Sequence, residues 1–180
     1  MKRLSERPLF AEAEIRARTI ALAREISRDY AGKDLVLVSV LKGATVFASD
    51  LLRALTIPAT LEFLRAKSYS GTQSTDEVRI HQMPEEDLAG RHVLLVEDIL
   101  DTGQTIAAVI ARLRELGPAT IEVCVLLNKP HQRKVEVSAR YVAFELDPAT
   151  HADELFVVGY GLDYNESYRG LKEIFTLHEH

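Results

Sequence analysis

The chain has 180 residues, 47% hydrophobic and 27% charged, a composition that excludes a disordered polymer and fits one globular domain of about 100–200 residues. A formal net charge of -5 argues against general attraction to nucleic acid or to anionic membranes. "MKRLSERPLF" lacks a signal-peptide core and no run reaches the roughly 18 apolar residues of a membrane span, so a cytoplasmic single domain over 1–180, without nucleic-acid or membrane partners, is expected.

From Ala11 to Tyr30, Ile15, Leu22, Ala23 and Ile26 recur at helical spacing, predicting an amphipathic helix broken by "AGKD". "LVLVSVL" follows as a nearly continuous apolar run, the pattern of a strand covered on both faces. "GATVFASDLLRAL" reads as a helix ended near "TIP", and "ATLEFLRA" as the next strand. "KSYSGTQSTDEV" is polar, Gly-containing and aperiodic, which predicts an exposed, mobile loop that short strands could flank.

"RHVLLVED" is the following strand, and "GQTIAAVIARLREL" a helix with Ile106, Val109, Ile110 and Leu113 on one side, stopped by Gly117-Pro118. "ATIEVCVLLNK", "RYVAFEL" and "ELFVVGYG" supply three more strands. Strands alternating with helices point to an α/β domain with a largely parallel sheet, where ligands sit outside the carboxyl ends of the strands.

Chemistry concentrates in "VLLVEDILDTGQT". The turn from Asp101 to Thr105 opens a helix and offers unpaired backbone N–H groups, with the Thr102 and Thr105 hydroxyls, to one phosphate, while Gly103 permits close approach. When ionised, Glu97 and Asp98 are hydrogen-bond acceptors only, and they could hold the hydroxyls of a sugar diol. The plainer alternative has Asp101 or Thr102 capping the helix and the two acids solvated.

Other signals are weaker. There is no GxxxxGK[ST] sequence, and "GYGLDY" has Tyr where a dinucleotide fingerprint needs its last glycine. Cys124, inside "IEVCVLL", reads as a buried strand residue with no disulfide partner. The six histidines make no metal site, and His178 and His180 read as a frayed tail.

"VLLVEDILDTGQT" closely resembles the 5-phosphoribosyl-1-pyrophosphate (PRPP) motif of type I phosphoribosyltransferases, and looks most like their hypoxanthine-guanine branch. In order along the chain, "SVLKGA" resembles that branch's pyrophosphate loop, "KSYSGTQS" its mobile catalytic loop, "LLNK" its purine-contact strand and "FVVGYGLDYNESYR" its C-terminal base-and-metal segment. The resemblance implies the fold of that family: a mostly parallel central sheet flanked by helices, with a small hood or C-terminal segment. It also implies transfer of phosphoribose from PRPP to hypoxanthine or guanine, giving IMP or GMP and pyrophosphate.

Residue by residue, the resemblance implies that Glu97 and Asp98 bind the ribose, that Asp101 is the general base or acid near the purine N7, and that Asp101, Thr102, Gly103, Gln104 and Thr105 hold the 5'-phosphate. Lys42, Gly43 and Arg169 would meet the pyrophosphate, and the Leu41–Lys42 peptide is often cis in the family. Lys129 would donate to a purine O6, Phe156 stack on the base and Val157 meet its edge through backbone groups. Ser68 and Tyr69 would begin the closing loop. Asp163 is the implied Mg²⁺ ligand, with Glu97 and Asp98 contributing directly or through substrate and water. Taken singly, each of these residues has a plainer reading as a turn, a strand or a solvated surface group. A xanthine-preferring enzyme, a pyrimidine transferase or a nucleotide-sensing regulator on the same fold are the alternatives, the pyrimidine version disfavoured by Lys129. Family members are usually dimers or tetramers. Gln104 and the tail "GLKEIFTLHEH" depart most from the family pattern.

Overall fold

Leu35 and Leu37 turn to one side of a strand and Val36, Val38 and Val40 to the other, and all five are buried. Alternation with no polar face means that both faces of the strand must be covered by other elements. The computed structural model describes residues 3–69, 77–146 and 156–178. In chain order the elements are β1 (Arg3–Leu4), α1 (Glu12–Asp29), β2 (Leu35–Leu41), α2 (Ala44–Ala54), β3 (Ala59–Tyr69), β4 (Glu77–Gln82) and β5 (His92–Leu100). They continue with α3 (Gln104–Arg114), β6 (Thr120–Asn128), a 3₁₀ turn at Pro130–Gln132, β7 (Tyr141–Glu145), β8 (Phe156–Val158) and β9 (Phe175–His178).

The main sheet has the order β4-β3-β2-β5-β6-β7, parallel throughout except for β4, which runs antiparallel to β3. On one face, Ile15, Leu22 and Ile26 of α1 and Phe47 and Leu51 of α2 pack with Leu35, Leu37, Leu94 and Leu126. On the other, Ile106, Val109 and Leu113 of α3 pack with Val36, Val38, Leu95 and Val125. Cys124 is fully buried within the first of these clusters, and burial pushes its thiol well above the ordinary range, as expected of a core residue.

Three elements differ from the sequence reading. The strand begun by "ATLEFLRA" continues through Tyr69, and β4 begins at Glu77, so both ends of the predicted loop are paired strand; its interior, 70–76, lies outside the described residues. "FVV" does not extend the main sheet but joins β1 and β9 in an antiparallel sheet of order β1-β9-β8, the small segment that the resemblance implied. His178, expected in a frayed tail, pairs with Arg3, and its Nε2 lies 2.8 Å from Thr176 Oγ1; His180 lies outside the described residues. Strands of two to four residues are too short to show a period, and distant partners order them.

No helix among the described residues is long and apolar enough to cross a membrane.

Candidate active site

The parallel register of β2 on β5, Leu35 opposite His92 through Ser39 opposite Val96, brings the residues after both strands to the same edge of the sheet. There Lys42 and Gly43, joined to β2 through a cis Leu41–Lys42 peptide, meet the acidic end of β5. A methyl group built on Gly43 would lie 1.6 Å from Asp98 Oδ2, so this contact exists only because residue 43 has no side chain. Gly161, at φ +99°, repeats the device: its added carbon would lie 2.2 Å from the Gly43 carbonyl oxygen. Three segments distant in sequence are stacked here backbone to backbone and backbone to carboxylate.

The acids are not a loop beyond the strand. β5 runs to Leu100, Glu97 is buried within it, and Glu97 Oε1 accepts the Asp98 backbone N–H at 3.1 Å. Burial, and then the adjacent Asp98 carboxylate, raise the Glu97 carboxyl well above its ordinary value. Burial also raises Asp98, while hydrogen bonds and the charge of Arg169 pull it back. Both carboxyls of this buried pair are thus held above the ordinary carboxylate range, chiefly by their removal from water.

The turn after β5 is not closed by a side-chain cap. The N-cap of α3 is Gly103 at φ +84°, with no capping side chain, and the Thr102 hydroxyl lies 3.5 Å from the Gln104 N–H, at the limit of a hydrogen bond. The capping alternative for Asp101 thus falls away. Asp101 Oδ1 is buried and has no hydrogen-bond partner among the described residues. The Gln104 side-chain oxygen lies 3.4 Å from the Thr102 hydroxyl.

Arg133 completes this turn and was not anticipated. Its Nη1 donates to the Asp101 carbonyl, its Nη2 donates to Asn128 Oδ1 at 2.7 Å, and the Lys134 N–H donates to the Thr102 carbonyl at 2.9 Å. Its stem, with Val135 and Val137, crowds Gly103. The available signal was Pro130 directly after the β6 strand end, where the 3₁₀ turn folds "HQRK" back over the motif.

Lys129 sits at the same edge, half-buried, its backbone N–H donating to the Leu100 carbonyl at 2.9 Å. Phe156, 42% exposed, stands edge-on to Tyr164 with ring centroids 5.5 Å apart, while the Val157 side chain is buried in the core and leaves only backbone for recognition. The backbones of Ser68 and Tyr69 form the last two pairs of β3, with Val78 and Glu77. The loop that they were expected to begin falls outside the described residues.

The segment after β8 supplies the remaining charge. Arg169 donates to the Gly161 carbonyl at 2.7 Å and pairs with Asp163 Oδ1 at 2.7 Å, and the Glu166 backbone N–H donates to Asp163 Oδ2 at 2.8 Å. Glu166, also unanticipated, pairs with Lys42 at 2.9 Å, a contact that holds its carboxyl below the ordinary range. Among the described residues no three His, Cys, Asp or Glu side chains converge as a metal cage, so Glu97, Asp98 and Asp163 do not come together as one ligand set. The Asp163 carboxylate, like that of Glu166 beside it, offers hard oxygen donors here, a chemistry that suits Mg²⁺, an ion that keeps several non-protein ligands. A separate cavity of about 620 Å³ lies between α1, α2 and the segment around Tyr160 and Lys172; of the site residues only Arg169 lines it.

Residues 9–165 match the family model described as "Phosphoribosyl transferase domain", and the chain belongs to the phosphoribosyltransferase family. The resemblance read from "VLLVEDILDTGQT" is borne out. At 42% identity over 176 residues, covering 94% of this chain and 84% of the relative, it is similar to the hypoxanthine-guanine phosphoribosyltransferase of Mycobacterium avium. At 42% over 171 residues, 92% of each, it is similar to the hypoxanthine phosphoribosyltransferase of Escherichia coli K12. A crystal structure of a hypoxanthine-guanine phosphoribosyltransferase from Bacillus anthracis superposes with a TM-score of 0.88 at 33% identity, covering 98% of this chain and 99% of that one.

Proposed function

We propose that this chain is a purine-salvage transferase that converts PRPP and hypoxanthine or guanine to IMP or GMP and pyrophosphate. The observation that carries the reading is one sheet edge holding four kinds of group: the Glu97–Asp98 pair, the uncapped turn from Asp101 to Thr105, Lys129, and the cations Lys42 and Arg169. Each suits one part of a single ribose phosphate, its leaving pyrophosphate or the incoming base.

In this reading Glu97 and Asp98 hold the ribose hydroxyls and offset cationic character developing at C1' as the pyrophosphate departs. The α3 N-terminus, with Thr102, Gly103, Gln104 and Thr105, binds the 5'-phosphate. Asp101 takes the purine N7 proton, its buried Oδ1 having no competing hydrogen bond among the described residues. Lys42, the Gly43 backbone and Arg169 meet the pyrophosphate. Phe156 stacks on the base, Val157 presents backbone to its edge, and the loop begun by Ser68 and Tyr69 excludes water. Enzymes of this family generally use Mg²⁺ with PRPP; here Asp163 would hold it, Glu97 and Asp98 contributing through the substrate, and it would neutralise the leaving group. Assembly as a homodimer or homotetramer is part of the proposal.

Lys129 sets the base preference, because a lysine donor accepts a 6-oxo group and opposes a 6-amino group. Lys129→Ala is expected to lower kcat/KM for hypoxanthine and guanine by about 10- to 100-fold, the worth of a hydrogen bond to a charged group, without a comparable loss with adenine. Unchanged 6-oxopurine kinetics would remove it from the base site.

The reading as a whole is tested by Mg²⁺-dependent pyrophosphate release from PRPP with hypoxanthine, guanine, xanthine, adenine and uracil in parallel. Release with the first two is expected. A dominant xanthine rate would move the assignment to the xanthine branch, and no release with any base would favour a nucleotide sensor.

A further inference from the structure

The two cations assigned to pyrophosphate share one carboxylate. Glu166 Oε2 lies 2.9 Å from Lys42 Nζ and 3.6 Å from Arg169 Nη2. Its place is fixed by backbone: Asn165 and Glu166 have φ of 50° and 61°, Tyr168 has 75°, and Tyr164 and Ser167 close a tight bridge around them. Left-handed backbone in consecutive non-glycine residues is sparsely populated and persists where the surroundings over-determine it. The Glu166 N–H on Asp163 Oδ2 is one such constraint, and Arg169, bound at once to Gly161 and Asp163, is another.

Charge makes this arrangement consequential. Lys42 and Arg169 are matched by Asp163 and Glu166, so the protein cluster is close to neutral where a polyanion is to be received. The Lys42–Glu166 pair is well exposed, with side-chain accessibilities of 55% and 65%, and an exposed ion pair exchanges partners at little cost. A polyphosphate on these cations must displace the carboxylate or sit against its charge.

We propose that Glu166 competes with pyrophosphate for Lys42 and Arg169, and so determines how tightly the diphosphate end of PRPP is held and how readily the product leaves. The inference rests on the assignment of the pyrophosphate site above and adds to it a residue that opposes binding. Glu166 keeps the leaving group from being retained by cations that would otherwise hold it too well.

The test is calorimetric titration of Mg²⁺-pyrophosphate into the full chain and into Glu166→Gln and Glu166→Asn, the second because Asn accepts left-handed backbone. Both variants are expected to bind about 2- to 5-fold more tightly than the wild type, with a matching fall in KM for PRPP; that span is the reach of an exposed charge interaction. In a Lys42→Ala background the gain should shrink, since the partner for which the two anions compete is gone. Equal or weaker binding by both Glu166 variants overturns the proposal while leaving the pyrophosphate site intact. A wild type that neither binds pyrophosphate nor releases it with any base removes the site itself, and the competitor with it.

Discussion

Asp101→Asn should fold, should bind PRPP as the wild type does, and should lose about 10²- to 10⁴-fold in kcat, the contribution of a positioned proton-transfer group. The turn that carries the residue does not depend on its carboxylate. Its shape comes from Gly103 in the left-handed region, from Arg133 on the Asp101 carbonyl and from Lys134 on the Thr102 carbonyl. The amides proposed for the phosphate belong to the backbone and the acids proposed for the ribose to β5, and neither is touched by exchanging a carboxyl oxygen for an amide nitrogen. The variant loses only a group able to take a proton, at an atom that is buried and has no hydrogen-bond partner among the described residues. Steady-state kinetics beside PRPP titration check the separation, and a wild-type kcat would end the assignment of proton transfer to this residue.

Gly43→Ala should be nearly as damaging for a different reason. Residue 43 has an ordinary helical backbone, φ -59° and ψ -46°, so alanine meets no torsional objection. The obstacle is contact: the new carbon would lie 1.6 Å from Asp98 Oδ2. Either Asp98 leaves its position or the turn after β2 moves outward, and the turn is backed by Gly161, which has no room to give. Displacement of about 1 Å in a positioning group can cost roughly 10²-fold in rate, and overpacking a close contact costs about 1–3 kcal/mol in stability. Gly170→Ala is the control, because nothing lies within 4 Å of its added carbon. A fall in kcat/KM of about 10²-fold together with a lowered Tm is expected for position 43 and neither for position 170. Full activity of Gly43→Ala would mean that the close approach is not needed for turnover.

Much of this site was legible in the sequence, and what was not follows a pattern. The central strands announced themselves because burial on both faces leaves no polar positions, as in Leu35 through Val38. Glu97, Asp98 and Asp101 stood out because carboxylates directly after such a run conflict with a buried strand unless they have work to do. Arg133 did not stand out. It lies in a polar stretch like any surface segment, and only the 3₁₀ turn after Lys129 brings its guanidinium to the Asp101 carbonyl. Glu166 looked like one more solvated acid in "NESYR", since its place on Lys42 is set by left-handed torsions and not by residue type. The contact of Gly43 with Asp98 depends on the register between β2 and β5, which pattern alone leaves open.

The small β1-β9-β8 sheet gives the two halves of the proposed site different histories during synthesis. β2, β5 and β6 are neighbours in the main sheet, and together with α3 and the residues directly after them, which include the acid pair, the proposed phosphate turn and Lys129, they come from the first 129 residues. Phe156 and Val157 lie on β8, whose neighbour β9 pairs in turn with β1, and the Thr176 N–H reaches Ser5 Oγ across 171 positions. Closing so long a loop costs more entropy than any local pairing and delays the contacts that depend on it. As the chain leaves the ribosome, the sugar-phosphate cradle and Lys129 can therefore assemble while the platform of Phe156 and Val157 still waits for β9, so the surface proposed to stack on the base is the last part of the site to take shape.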